Sequence, residues 1–169
     1  MNRDELRSVQ APLKQRYRDD PETALITLKA EGRLGDDVSC NVATGRALVE
    51  AGLHPATGGT GTLACSGDML LQALVACAGV TLAAVATGLG IVLRDAQLTA
   101  EGDLDFRGTL GVAKDAPVGF REIRLSIRLD TDAGAEERRK LLELTERYCV
   151  VFQTLSRSPE LRVAYEDGA

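Results

Sequence analysis

One stretch of the chain constrains its fold more than any other, the apolar run from Ser66 to Gly90. Between Met69 and Thr87 the run is interrupted only by the polar side chains of Gln72 and Thr81 and by one thiol, Cys77. It is far too long for a strand, which typically has about 5–6 residues, and its many Ala and Leu residues favour a helix. Because this helix is apolar on every side, it has to lie in a core or an interface.

Both ends of the run carry signals for a helix terminus. Ser66, Gly67 and Asp68 offer a capping oxygen and an acid in the first turn, and Gly88 and Gly90 suit a left-handed C-cap. The run is barely long enough to span a bilayer, and it lacks the flanking Lys/Arg cluster and the Trp/Tyr belt that anchor such spans. We therefore predict a buried helix, and no membrane as a partner.

Charge and cysteine content narrow the class of protein. A net charge of −5 gives no electrostatic reason to expect nucleic acid as a partner. The charged N-terminus has no apolar signal-peptide core, so we expect a cytoplasmic protein. Four scattered cysteines and the lone His54 match neither a disulfide scaffold nor a zinc site. The glycine-rich stretch at residues 58–61 lacks the Lys-Ser/Thr ending of a phosphate-binding loop. From the cysteine pattern and this loop together, we predict no metal and no cofactor.

The remaining chain predicts an α+β fold, with an antiparallel sheet around the central helix. We expect a helical arm over residues 1–23, interrupted at Pro12, and a single domain over residues 24–169. One sheet face cannot cover a helix that is apolar all round, so an intertwined homodimer is expected to bury the rest. The further predicted strands are Ala24–Ala30, Val38–Ala43, Ile123–Asp130 and Leu161–Tyr165, and Leu93–Leu110 is predicted as a long bent strand or a hairpin, kinked near Gly102. A turn is expected at Gly32–Asp37, a loop or short-strand region at Gly45–Cys65, and helices at Gly134–Tyr148 and Val150–Ser156.

The four thiols differ in their predicted surroundings. Cys40 shares a strand face with apolar residues and is interpreted as core packing, whereas Cys65 could be packed or exposed. Cys77 lies deep in its helix, where burial raises the thiol pKa, so its reactivity would need an Arg or Lys brought from elsewhere. Cys149 lies near a helix C-terminus, where the dipole disfavours a thiolate. From these residues alone, inert buried thiols are the simpler interpretation.

A resemblance to a known family adds to this picture. The central helix DMLLQALVACAGVTLAAVA, the following LRDAQLTAEGDLDFRG, the strand REIRLSIRL and the segment RYCVV resemble the family of osmotically inducible protein C (OsmC) and organic hydroperoxide resistance protein (Ohr). The similarity implies an OsmC-like α+β homodimer with interface sites, and a cysteine-based peroxidase that reduces organic hydroperoxides in the oxidative stress response. By this resemblance Cys77 would be the attacking thiol and Cys149 the resolving thiol. A dithiol reductant, a lipoylated protein or thioredoxin, would restore them.

The resemblance also supplies candidates for activating Cys77. Arg33 lies in a Gly-Arg-x-Gly stretch similar to the Ohr-type arginine, and Arg46 is the other candidate. Asp68 lies about 13 Å along the helix from Cys77, so it would either cap the helix or hold the arginine.

The helix entry departs from the family pattern. Gly67 stands where the family's peroxidases carry a glutamate, and Val150 follows Cys149 where they usually carry a proline. These departures favour an alternative function, a non-catalytic family member that binds a small apolar or acyl ligand at the dimer interface.

Overall fold

The structure is a computed structural model that describes residues 3–34, 40–42 and 51–165. Helices and strands alternate along the chain in a mixed α+β arrangement, as the sequence predicts. The helices are α1 (Arg3–Asp19), α2 (Ser66–Leu89), α3 (Phe106–Thr109), α4 (Ala135–Tyr148) and α5 (Val150–Ser156). The strands are β1 (Leu25–Leu34), β2 (Cys40–Val42), β3 (Asp95–Asp105) and β4 (Phe120–Asp130).

In the described part of the chain, four strands form one antiparallel sheet in the order β2-β1-β3-β4. Successive side chains of a strand point to opposite faces, so β3 buries Ala96, Leu98 and Ala100 on one face and presents polar residues on the other. The alternating apolar residues of β4 pack against the same core, as predicted. The sheet therefore has one apolar face, and helix α2 covers it.

Helix α2 is the centre of the main core, because Leu71, Leu74, Val75 and Leu82 are buried along one side of it. Its other side includes exposed Met69, Leu70 and Val80. Within the described residues α2 alone is long and apolar enough to cross a membrane, but its packing against the sheet makes it a core helix.

The ends of α2 largely match the prediction. Gly90 adopts the left-handed C-cap conformation with φ of 69°. At the other end the prediction of a capping oxygen from Ser66 to Asp68 is wrong. The N-cap is Cys65, which makes no side-chain cap bond, and Ser66 is already the first helical residue.

Helix α1 continues through Pro12, so the predicted interruption is wrong. A proline inside a helix removes one backbone hydrogen bond, and tertiary packing offsets that cost here. Tyr17 is fully buried, and its hydroxyl donates to the carbonyl oxygen of Ala56 at 2.6 Å. With Ala24, Phe106 and Ala56, Tyr17 forms a second, smaller core at the edge of the domain.

The first two predicted strands differ from the observed ones at their ends. Strand β1 runs to Leu34, so the predicted turn is wrong from Gly32 to Leu34, where Gly32 pairs with Leu98. Pairing with β3 extends the strand despite the local turn signal. The second predicted strand is observed at Cys40–Val42, and the rest of it lies outside the described residues.

The long predicted strand from Leu93 to Leu110 is shorter in the structure. β3 ends at Asp105, whose carboxylate accepts the backbone N–H of Arg107 at 3.1 Å and so begins helix α3. The pairing irregularity lies between Asp103 and Leu104, one position beyond the kink predicted near Gly102.

The second half of the chain follows the prediction until its end. Helix α4 starts after Gly134, whose N–H donates to the side chain of Glu137, and α5 follows as expected. The strand predicted at Leu161–Tyr165 is wrong. A strand needs a hydrogen-bonded neighbour, and in the described part of the chain no strand pairs with this segment, whose Val163 is 98% exposed.

Candidate thiol site

The candidate site lies where α2 meets the junction of α4 and α5. Cys77 is half-buried in the middle of α2 and packs at the edge of the main core. Cys149 is the single residue between α4 and α5, and it serves as C-cap of the first and N-cap of the second. Its side chain is 1% exposed, and its Sγ accepts the N–H of Phe152 at 3.5 Å. The short break between the two helices thus aims Cys149 into the core.

The structure brings Cys77 and Cys149 together. Each of the two thiols acts on the pKa of the other, so their side chains are neighbours. Neighbouring thiols are the starting point for a disulfide, whose formation brings the two Cα atoms within about 7 Å. The four cysteines of the sequence therefore divide into this pair and two others.

Cys77 has a pKa below the ordinary value of a thiol. Burial raises the pKa, but the backbone N–H of Val151, the Cys149 thiol, the N–H of Val150 and the Thr81 hydroxyl all lower it, and together they outweigh burial. Each of these groups donates a hydrogen bond to the charged form of the sulfur, which stabilises the thiolate. The donors are all uncharged groups.

Cys149 has the opposite character. Burial raises its pKa to about 11, although the N–H of Phe152 acts the other way. The hydrogen bond to Cys77 and the negative charge of a neighbouring thiolate raise it further. The first proton of the pair therefore leaves Cys77, and Cys149 keeps its proton. Such an unequal pair is what a nucleophile and its resolving partner require.

An open pocket of about 350 Å³ includes in its lining Leu74, three residues before Cys77, and Phe152, three residues after Cys149, while neither thiol lines it. Leu74 lines it from α2, on the helix face of Cys77, and Phe152 lines it from α5. The remaining lining residues come from β4 and the end of α5: Phe120, Arg121, Glu122, Ile123, Leu125, Leu155 and Ser156. Its size and mostly apolar lining fit a small organic ligand.

The predicted activating residues lie in other places. Arg33 forms an ion pair with Asp95 at 3.0 Å and is 66% exposed, and it is not among the main groups that set the pKa of Cys77. Arg46 lies outside the described residues. Asp68 is half-buried in the first turn of α2, where burial raises its pKa and the charge of His54 lowers it. The partners of Arg33 and Asp68 among the described residues are thus Asp95 and His54.

The other two thiols are separate from the pair. Cys65 is half-buried at the start of α2 and packs beside the main core. Cys40 lies in β2, with its side chain outside the described residues. Among the described side chains, no group of three or more His, Cys, Asp or Glu could hold a metal ion.

Three groups that lower the pKa of Cys77 were not predicted from the sequence: the side chain of Thr81 and the N–H groups of Val150 and Val151. Thr81 lies four residues after Cys77, a spacing that puts both side chains on one helix face, so the sequence did carry this signal. The N–H groups of Val150 and Val151 reach Cys77 only through the packing of α5 on α2. No local pattern encodes that contact.

The fold and the thiol pair define a class, an α+β protein with a long apolar central helix that carries a thiol against a second cysteine. A family model described as OsmC-like protein matches residues 59–164. The chain belongs to this family. No curated protein matches the chain.

Solved structures agree with the fold. A crystal structure of an OsmC-like hydroperoxide resistance protein from Jannaschia sp. CCS1 has a TM-score of 0.64 at 17% identity, over 86% of this chain and 95% of the other. The OsmC-like protein from Mycoplasma pneumoniae has a TM-score of 0.56 at 18% identity, over 79% of this chain and 86% of the other.

Proposed function

We propose that the protein is a thiol peroxidase that reduces organic hydroperoxides, with Cys77 as the attacking thiol and Cys149 as the resolving thiol. The observation that carries this proposal is the contact between two thiols of opposite character, one with a lowered pKa and one with a pKa of about 11. Membership of the OsmC-like family and similarity to a hydroperoxide resistance protein support it.

The proposed reaction has three balanced steps. The Cys77 thiolate attacks the terminal oxygen of R–OOH, the O–O bond breaks, and the alkoxide takes a proton to leave as the alcohol, with Cys77 as sulfenic acid. The Cys149 sulfur then displaces the hydroxyl, so that a disulfide forms and water leaves. An external dithiol reduces the disulfide by thiol–disulfide exchange and is itself oxidised.

The pocket lined by Leu74 and Phe152 supports an organic substrate. The hydrocarbon part of R–OOH would lie against Leu74 and Phe152, while the peroxide group faces the sulfur. The same pocket also favours the second candidate function, the binding of a small apolar or acyl ligand without chemistry.

Three further features belong to this proposal. A homodimer would cover the exposed side of α2, where Met69, Leu70 and Val80 form an apolar surface. A reducing cytoplasm would keep the pair reduced, and a lipoylated protein or thioredoxin would serve as the reductant. The arm over residues 1–23 would be an addition to a single domain over residues 24–169.

The proposal retains a role for an arginine, Arg33 or Arg46, with Asp68 to hold it. If one of them activates Cys77 across a dimer, the Arg→Ala variant lowers the peroxidase rate and raises the Cys77 pKa with little change in Tm. Asp68→Asn separates the two roles of the acid, because Asn can replace a cap but not a charge. Unchanged activity in all three variants would exclude activation by an arginine. The uncharged hydrogen-bond donors around Cys77 would then be what lowers its pKa.

The test of the function is steady-state reduction of cumene hydroperoxide with a dithiol reductant. We expect Cys77→Ser to abolish turnover and Cys149→Ser to block it after one equivalent, since the sulfenic acid then has no internal partner. Cys65→Ser and Cys40→Ser are matched controls that should retain turnover. Wild-type protein that binds the hydroperoxide but never consumes it would favour the ligand-binding function.

A further inference from the structure

The side chain of Gln153 ties helix α5 back to helix α4. Its Nε2 donates a hydrogen bond to the backbone carbonyl oxygen of Glu146, in the last turn of α4, at 2.8 Å. Its backbone N–H donates to the carbonyl oxygen of Cys149 at 2.9 Å, which is the first hydrogen bond of α5. The two bonds of Gln153 therefore span the one-residue break between the helices.

This break changes the partners of the backbone groups on either side of it. In an unbroken α-helix each N–H donates to the carbonyl four residues earlier, so the N–H of Val150 would donate to Glu146. In the structure the N–H of Val150 acts on the Cys77 thiol, and the side chain of Gln153 donates to the Glu146 oxygen instead. The amide of Gln153 thus replaces the backbone donor that the break removes.

The break also turns Cys149 into the core. Its two neighbours in the chain, Tyr148 and Val150, are 57% and 70% exposed, whereas Cys149 is 1% exposed. Its Sγ accepts the N–H of Phe152 at 3.5 Å. Helix α5 has only 7 residues, and helices shorter than about 12–15 residues are marginal by themselves. The direction of α5 relative to α4 therefore depends on packing and on bonds such as the one from Gln153.

We propose that Gln153 is a positioning residue that holds the Cys149 thiol towards Cys77. A carbonyl in the last turn of a helix lacks an intrahelical partner, so the amide that satisfies it stabilises the broken arrangement of α4 and α5. A positioning role in catalysis rests on the peroxidase function proposed above, whereas the effect of Gln153 on the two thiols does not.

Loss of this hydrogen bond should change the two thiols in opposite directions. Without it α5 is free to turn, so Cys149 becomes more accessible and loses part of the burial that raises its pKa. The N–H groups of Val150 and Val151 move away from Cys77 at the same time, which removes groups that lower the pKa of that thiol. Cys149 should then react faster and Cys77 more slowly. A general loosening of the fold would instead make every buried thiol react faster.

The experiment measures the alkylation of each cysteine by iodoacetamide between pH 6 and about 10 in the reduced full chain, with the peptides quantified by mass spectrometry. Gln153→Met keeps the length of the side chain but removes the donor. We expect it to speed Cys149 at pH 8 and to slow Cys77 at pH 7, each by roughly two- to tenfold, as the loss of one hydrogen bond implies. Gln15→Met is the matched control, since it removes a side-chain hydrogen bond to Asp19 within α1, and it should leave both profiles unchanged.

Unchanged profiles in Gln153→Met, a change confined to one of the two thiols, or a common increase that includes Cys65 would overturn the proposal. If the methionine variant does not fold, Gln153→Ala decides in the same way. The result is independent of peroxide chemistry. Opposite changes at the two thiols in a protein that never consumes hydroperoxide would reject the proposed function alone, and turnover with unchanged profiles would reject only the role of Gln153.

Discussion

The unequal acidity of Cys77 and Cys149 leads to a large difference in their reaction with an alkylating agent. At pH 8 a thiol with a pKa of about 11 is ionised in about one molecule in a thousand. A thiol whose pKa lies below about 9 is ionised in at least a tenth of the molecules at the same pH. Because the thiolate is the reactive form, Cys77 should be alkylated at least about a hundredfold faster than Cys149.

The assay is a time course of iodoacetamide labelling in the reduced protein, with each cysteine peptide followed by mass spectrometry. Cys65 is a useful reference, because it is half-buried like Cys77 but lies about 18 Å along α2 from it. Low exposure alone could also slow Cys149, and the pH dependence separates the two causes. Raising the pH from 8 to 9 should accelerate Cys149 about tenfold and Cys77 by less, because Cys77 is already partly ionised. Equal initial rates for Cys77 and Cys149 would refute the assigned polarity of the pair.

Two further predictions concern stability. Cys149 has a pKa raised to about 11, so the folded thiol keeps a proton that the unfolded thiol loses near pH 8.5. The stability that this supplies is fully present below about pH 8.5 and is lost as the pH rises towards 11. The free energy of unfolding of the reduced protein, measured in urea, should therefore fall more steeply over this pH range in the wild type than in Cys149→Ala. An equal pH dependence of the unfolding free energy in the two proteins would contradict the raised pKa of Cys149. Gly102→Ala should destabilise the fold by about 1–3 kcal/mol, because a new Cβ would lie 2.5 Å from the Phe120 ring. Gly88→Ala, with nothing within 4 Å of its Cβ, is the control and should stabilise α2 by up to about 1 kcal/mol. A Gly102→Ala variant as stable as the wild type would show that the ring can move aside.

The parts of the fold with a strong repeating pattern could be predicted from the sequence. The apolar length of α2 and the alternation along β4 reflect burial on all sides and on one face, which is a property of each segment by itself. The predictions were wrong where pairing with a neighbouring strand decides whether a segment is a strand. Pairing with β3 carries β1 past the predicted turn at Gly32, and the alternating pattern at Leu161–Tyr165 has no neighbouring strand to pair with.

Some features of the candidate site could likewise be predicted from the sequence, and others depend on packing between distant segments. The position of Cys77 in the central helix and of Cys149 at a helix end could be read from the chain, and the resemblance to the family linked them. The lowered pKa of Cys77 could not be predicted from the sequence. Two of the groups that lower it are the backbone N–H groups of residues 150 and 151, some seventy positions away along the chain. From the sequence, a cation was the expected activating group, since burial alone would raise the pKa of an isolated thiol.

The most direct test of the two-thiol account is a single-turnover reaction in the absence of reductant. Reduced protein is mixed with one equivalent of cumene hydroperoxide, quenched by acid and alkylation, and analysed by intact mass and peptide mapping. With Cys77 as attacking thiol and Cys149 as resolving thiol, the protein mass should fall by two hydrogen atoms as one equivalent of alcohol forms, and a single cross-linked peptide should join Cys77 to Cys149. Consumption of the hydroperoxide with Cys77 and Cys149 still free, or a disulfide that involves Cys65 or Cys40 instead, would contradict it.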